Sequence, residues 1–118
     1  MVMVKHEYMV MVDDFLEGLE VELGRSVYTV RNYRLYLERF FELAGEEFDT
    51  FYVEDINQEV VRKYRLRLNR YVDTHGERLT VMTQAYHLVA LRGFLKYLAK
   101  REILSLDPSL IELPKTRR

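Results

Sequence analysis

The stretch Thr80–Lys100 reads TVMTQAYHLVALRGFLKYLAK. Leu88, Leu91, Phe94, Leu95 and Leu98 fall at helical spacing within it, which predicts an amphipathic helix with those five residues as its buried set. Working outward, Met9–Leu23 repeats Val12, Leu16, Leu19 and Leu23 at three- and four-residue steps, with acids in between. That is a second amphipathic helix, closed by Gly24, which takes the left-handed cap conformation at little cost. Ser26 caps the next helix, whose stripe of Val30, Tyr33, Leu37, Phe40 and Phe41 runs to Gly45. An acidic connection, Glu46–Asp55, carries Phe51 and Tyr52, which are expected to fold back on the core. Asn57 then caps a helix with Val61, Tyr64, Leu68 and Tyr71 or Val72 as its apolar face, until Asp73–Gly76 turns the chain. Pro108 opens a short helical turn with Leu110 and Ile111 available to pack, and Pro114 ends it. No period-two alternation persists, so four helices of about 16–21 residues, each roughly 25–30 Å long, predict an all-α bundle or orthogonal helical domain.

A chain of 118 residues with 48% hydrophobic and 31% charged content is one globular domain able to bury a core unaided. Met1–Val12 is apolar, yet Lys5, His6 and Glu7 interrupt it, so it is neither a signal peptide nor an anchor. No membrane span is expected, and a cytoplasmic location is compatible. The absence of cysteine removes disulfides, thiol catalysis and thiolate metal sites. His6, His75 and His87 are too far apart for a paired-ligand motif, and no glycine-rich phosphate loop occurs, so no metal or cofactor is expected. Asp13–Asp14 and Glu46–Glu47 are adjacent pairs that diverge on a helix and read as solvated surface. Tyr33, Tyr64 and Tyr71 lie on apolar stripes and read as core. Nothing supports catalysis by this chain alone.

The net charge of −1 at first argues against a nucleic-acid partner, but the charges are blocked. Residues 1–24 hold one base against six acids, and residues 25–41 hold four bases against one acid. Residues 42–59 hold seven acids and no base, and residues 60–118 hold thirteen bases against five acids. Such blocks are either solvated helix faces or a dipolar surface that steers a charged partner.

Two helix starts carry more information than the blocks. Ser26-Val27-Tyr28-Thr29-Val30-Arg31-Asn32-Tyr33-Arg34 and Thr80-Val81-Met82-Thr83-Gln84-Ala85-Tyr86-His87 lack the acids that usually complement a helix dipole. Acid-free N-termini present N–H groups and positive partial charge to an anion such as phosphate. Polar side chains with Met and Tyr among them also suit base edges and thymine methyls. The alternative is that Ser26 and Thr80 merely cap and the rest is ordinary surface.

The ordered set Ser26-x-x-Thr29-x-x-x-Tyr33-Arg34-x-x-Leu37-x-x-Phe40, then Asn57 to Leu68, then Leu79-Thr80-x-x-Thr83-x-x-x-His87-Leu88-x-Ala90-Leu91-Arg92-x-Phe94-x-x-Tyr97-Leu98, then Asp107-Pro108-x-x-x-Ile111-x-x-Pro114-Lys115, resembles the N-terminal core-binding domain of tyrosine recombinases. This is the SAM-like helical domain of phage integrases and XerC/XerD-type enzymes, and the resemblance covers about residues 9–115. It implies a compact four- to five-helix SAM-like bundle with orthogonally packed helix pairs. Residues 1–8 would be an N-terminal extension, 9–113 the DNA-binding domain, and 114–118 the start of a linker. In this family a C-terminal domain beyond that linker supplies the arginine-rich site and the tyrosine nucleophile. The chain itself would then be no enzyme, although its parent would be a tyrosine recombinase.

The family clamps DNA with its second and fourth helices. By position, the resemblance sends Arg31, Asn32 and Leu35 to the groove from the second helix, and Met82, Thr83 and Tyr86 from the fourth. Ser26, Thr29, Thr80 and His87 would be phosphate-directed or would cap, with packing an equal role for Thr29. Arg34 would reach phosphate, and Arg92 would contact phosphate or pair with an acid. Relatives commonly place bases where Tyr86 and His87 stand, so the implied affinity for double-stranded DNA is about micromolar or weaker and sensitive to salt. Other recombinase protomers on the DNA are the second implied partner, through the acidic face Asp13–Glu22, while the isolated domain is expected to be monomeric. The Arg62–Arg70 cluster reads as a solvated face paired with acids of the first helix. The competing reading is a helical protein-interaction or regulatory domain without DNA binding, in keeping with a pI of about 6.3.

Overall fold

A computed structural model describes residues 4–115. Residues 1–3 of the expected extension and residues 116–118 of the expected linker lie outside the described residues. The order is α1 (Tyr8–Val21), α2 (Val27–Ala44), two single 3-10 turns at Gly45–Glu47 and Val53–Asp55, α3 (Gln58–Arg70), α4 (Val81–Lys100) and a last 3-10 turn at Pro108–Leu110. Among the described residues there is no strand, only isolated antiparallel bridges between Glu7 and Tyr52 and between Val72 and Arg78. The fold is therefore the all-α arrangement of packed helix pairs that the periodicity predicts.

The second helix is the hub, packing against α4, α1 and α3. Leu37 and Phe40 from α2, Tyr64 from α3, and Leu91, Phe94 and Leu98 from α4 have no exposed surface. Their rings meet edge to face: Phe40 and Tyr64 at 4.8 Å, Phe40 and Phe41 at 5.0 Å, and Phe41 and Phe94 at 5.8 Å. Those geometries add to area burial because each ring's positive edge meets a negative face. Gly93 of α4 faces Phe15 of α1, and a Cβ there would stand 3.4 Å from that ring, an ordinary contact. Phe51 is buried against Phe40 and Phe41, so the acidic connection does fold back on the core.

Three details of the pattern are corrected. Leu23 is 64% exposed because α1 stops at Val21, and the buried stripe is Met11, Val12, Phe15, Leu16 and Leu19. The third helix ends at Arg70, leaving Tyr71 extended and half-buried and Val72 exposed. There the Asp73 carboxylate accepts the N–H groups of His75 and Glu77 and holds a turn closed by Gly76 at φ +78°. Of the pair near Pro108, Ile111 is buried while Leu110 is exposed.

Residues 5–8, expected as a mere extension, are tied to the body. Glu54 accepts the His6 N–H at 2.8 Å and lies 2.6 Å from His6 Nδ1, while His6 O accepts the Val53 N–H. Tyr8 stacks on Phe41 at 4.1 Å and 6°. Lys5 lies over the Tyr52 ring and 3.8 Å from Asp55.

Candidate nucleic-acid interface

Both α2 and α4 begin in the same way, for a local reason. Ser26 Oγ accepts the Thr29 N–H at 3.2 Å and donates to Thr29 Oγ1 at 3.1 Å. Thr80 Oγ1 accepts the Thr83 N–H at 3.1 Å and donates to Thr83 Oγ1 at 3.0 Å. The two cap hydroxyls are thus occupied, whereas the hydroxyl protons of Thr29 and Thr83 are left to point elsewhere. Neither first turn contains an acid, so the positive end of each helix dipole faces outward uncompensated.

The exposed residues of these starts include Tyr28, Arg31, Asn32 and Leu35 on α2, and Met82 and Tyr86 on α4, with Thr83 half-buried. Arg31 lies over the Tyr28 ring at 5.1 Å. Thr29, Asn32, Tyr33 and Tyr36 of α2 line one open groove with Tyr86 and Val89 of α4. The structure therefore brings Asn32, Thr29 and Tyr86 into a single cleft between the two helices. Ser26, Arg31, Arg34, Leu35, Thr80, Met82 and Thr83 lie outside that cleft.

His87 departs from its expected role. It is 1% exposed and turned inward, its ring tilted 40° against that of Tyr36 with centroids 4.3 Å apart. Its Nδ1 lies 2.7 Å from the Thr83 carbonyl and its Nε2 lies 2.8 Å from an Arg39 nitrogen. A carbonyl can only accept and a guanidinium can only donate, so Nδ1 carries the proton and Nε2 accepts from Arg39. Burial pushes the imidazole down to about 4, with the Arg39 charge acting in the same direction. A neutral ring enclosed this way cannot reach a phosphate. Arg39, which the sequence reading passed over, has its guanidinium 4.5 Å above the Tyr71 ring.

Ion pairs sort the remaining cations. Arg34, expected at phosphate, is 3.0 Å from Asp13, and Arg101 is 3.2 Å from Asp14, which also accepts the Tyr97 hydroxyl. Asp13 and Asp14 lie at the surface, as expected, and from there tie α1 to α2 and to the end of α4. The basic face of α3 takes its acids from itself and from the connection, not from α1: Arg62 pairs with Glu59 at 2.6 Å, Lys63 with Glu47 at 3.0 Å, and Arg67 with Glu47 at 2.8 Å. Arg65 donates to the Glu112 carbonyl. Among the described residues, no carboxylate lies within 4.0 Å of Arg31, Arg39 or Arg92.

The described residues thus form a small all-α domain with two capped, acid-free helix starts beside a shared groove. The chain belongs to the family described as phage integrase, N-terminal SAM-like domain, whose model matches residues 12–102. The match begins inside α1 and ends just past α4, so it takes in α2, α3 and α4 whole, with both starts, and most of α1. No curated protein and no solved structure matches the chain. No helix among the described residues is long and apolar enough to cross a membrane.

Proposed function

We propose that this domain binds double-stranded DNA across α2 and α4, as the core-binding half of a site-specific tyrosine recombinase or integrase. The observation that carries the reading is the groove shared by Thr29, Asn32 and Tyr86, flanked by two acid-free helix starts, in a chain of the integrase family. Arg31, Asn32 and Leu35 would meet base edges from one side, and Met82, Thr83 and Tyr86 from the other. Backbone N–H groups at the two starts would take phosphates, with Ser26 and Thr80 serving as caps. Arg34 would contribute only after leaving Asp13. Contacts with other protomers would fall to Glu17 and Glu20, because Asp13 and Asp14 are already paired.

A mobility-shift titration on duplex DNA at low salt tests this. The double variant Arg31→Glu with Thr83→Glu places two acids at the proposed face and is expected to weaken binding at least tenfold, since one cation–phosphate contact is lost and two repulsions are added. Unchanged binding would move the docking face elsewhere. The protein-interaction reading has one observation in its favour: Val27 (70%), Tyr28 (69%), Val81 (48%) and Met82 (48%) are exposed at the same two starts. Wild-type protein that fails to shift any duplex at low salt would leave that reading in place of DNA binding.

A further inference from the structure

We propose that Arg39 is a phosphate-binding residue of this interface, held ready by His87 and Tyr71, and that His87 is its positioning residue. The inference rests on the DNA reading above and adds a contact which that reading does not contain.

The arginines whose surroundings the fold defines fall into two groups. Arg39 belongs with Arg31 and Arg65, which face a tyrosine ring or a backbone carbonyl and no carboxylate. Of these, Arg39 is the one held by a side chain of another helix. Arg34, Arg62, Arg67 and Arg101 each face a carboxylate that neutralises their charge. Arg39 is half-buried, yet its two defined partners, the Nε2 lone pair of His87 and the π face of Tyr71, are both uncharged. Both orient a guanidinium, but neither cancels it. A guanidinium has five N–H donors in a fixed planar fork, and the imidazole takes one of them. A staple meant only to join α2 to α4 would be better served by a carboxylate or by an apolar side chain, because a half-buried cation with neutral partners carries a desolvation cost with no Coulombic return. An arriving anion supplies that return.

The imidazole can do this work because its tautomer is fixed from the far side. Thr83, in the first turn of α4, binds the Nδ1 proton through its carbonyl, and Tyr36 covers the ring face. Nε2 therefore keeps a lone pair aimed at Arg39, and burial, which drives the ring well below its ordinary protonation range, keeps that lone pair free at neutral pH. The chain of contacts from Thr83 through His87 to Arg39 couples the start of α4 to the middle of α2.

The placement along α2 suits a duplex. Arg31 and Arg39 are eight residues apart, or about 12 Å of rise and within a quarter turn of one face. B-DNA's major groove is about 12 Å wide. The two cations can thus stand at opposite walls of one groove while Asn32 and Leu35 between them face the bases. Each is steadied by a tyrosine, Tyr28 under Arg31 and Tyr71 under Arg39.

The test measures affinity against salt for a fluorescent duplex bound by wild type, Arg39→Gln, His87→Phe and His87→Gln, with thermal melts of each. Arg39→Gln removes one phosphate contact, so affinity should fall about tenfold at low salt and the slope of log affinity against log salt should shrink by about one. His87→Phe leaves the charge but frees the arginine, so affinity should fall while the slope stays near wild type. His87→Gln, whose amide oxygen can accept from Arg39, should restore much of the loss, which a purely structural role would not predict. A folded Arg39→Gln protein with wild-type affinity and slope overturns the proposal while leaving the DNA reading intact. Absence of wild-type binding overturns the DNA reading and this inference with it. Should His87→Phe fail to melt cooperatively, the Arg39→Gln comparison decides alone.

Discussion

Replacing His87 by Gln should change how stability depends on pH, and the size follows from its enclosure. The ring titrates at 6.5 ordinarily and at about 4 here, because burial disfavours its charged form. Between those values the unfolded chain takes up a proton that the folded chain refuses. Its contribution is therefore complete above pH 6.5 and is lost as pH falls toward 4. From pH 7 to pH 5 the difference amounts to about 2 kcal/mol. Glu47, Glu54, Glu59 and Asp107 all titrate below their ordinary values, so they add an acid-side loss of their own, but one common to both proteins. Urea unfolding followed by circular dichroism at both pH values isolates the histidine. The wild-type midpoint should drop roughly 1 M further than that of His87→Gln, given slopes of about 1–3 kcal/mol/M. Equal drops would mean that the imidazole takes up its proton as readily in the fold as in the unfolded chain, against the enclosure described above.

Other substitutions probe different parts of the molecule. Ser26→Ala and Thr80→Ala each remove a cap bond and should cost about 1 kcal/mol, measured by chemical unfolding. Tyr64→Phe should leave stability unchanged or raise it by up to about 1 kcal/mol, because the Tyr64 hydroxyl is buried with no partner; a loss of similar size would point to a bound water. Gly18 and Gly24 make an opposed pair, since both have open space where a Cβ would stand. Gly18 is inside α1, so Gly18→Ala should raise stability by about 0.5–1 kcal/mol. Gly24 sits at φ +61°, so Gly24→Ala should lower it by about 1 kcal/mol.

Where sequence reading succeeded, the physics was local. Ser26, Asn57 and Thr80 cap because each acts on the N–H three residues on, and the buried set of α4 follows from one helix's own period. The failures involve partners remote in sequence. Glu47 lies 16 residues from Lys63 and 20 from Arg67, so nothing in the order of charges assigns that pairing to the connection instead of α1. His87 was placed at the surface with its neighbour Tyr86, although successive residues on a helix point about 100° apart. A signal did exist, because His87, Leu91, Phe94 and Leu98 follow the four-three-four spacing of a buried row. Arg39 offered no such signal: its imidazole partner is 48 residues away, and an arginine beside an apolar stripe usually faces water. For the interface, the two acid-free starts were visible in the letters. The cleft joining Asn32 to Tyr86 required the crossing of α2 and α4, which periodicity does not encode.

The separation of faces on α4 bears on how such a domain can change over generations. Leu88, Leu91, Phe94, Leu95 and Leu98 point into the core, while Met82 and Tyr86 point out, so substitutions on the outer row need not disturb packing. If α4 reads DNA as proposed, recognition can drift while the scaffold is kept. Ala85 and His87 are the exceptions, buried residues on either side of Tyr86 within the recognition stretch. Under the DNA reading proposed above, a change of target there would also be a change in the core, and variation should be slowest.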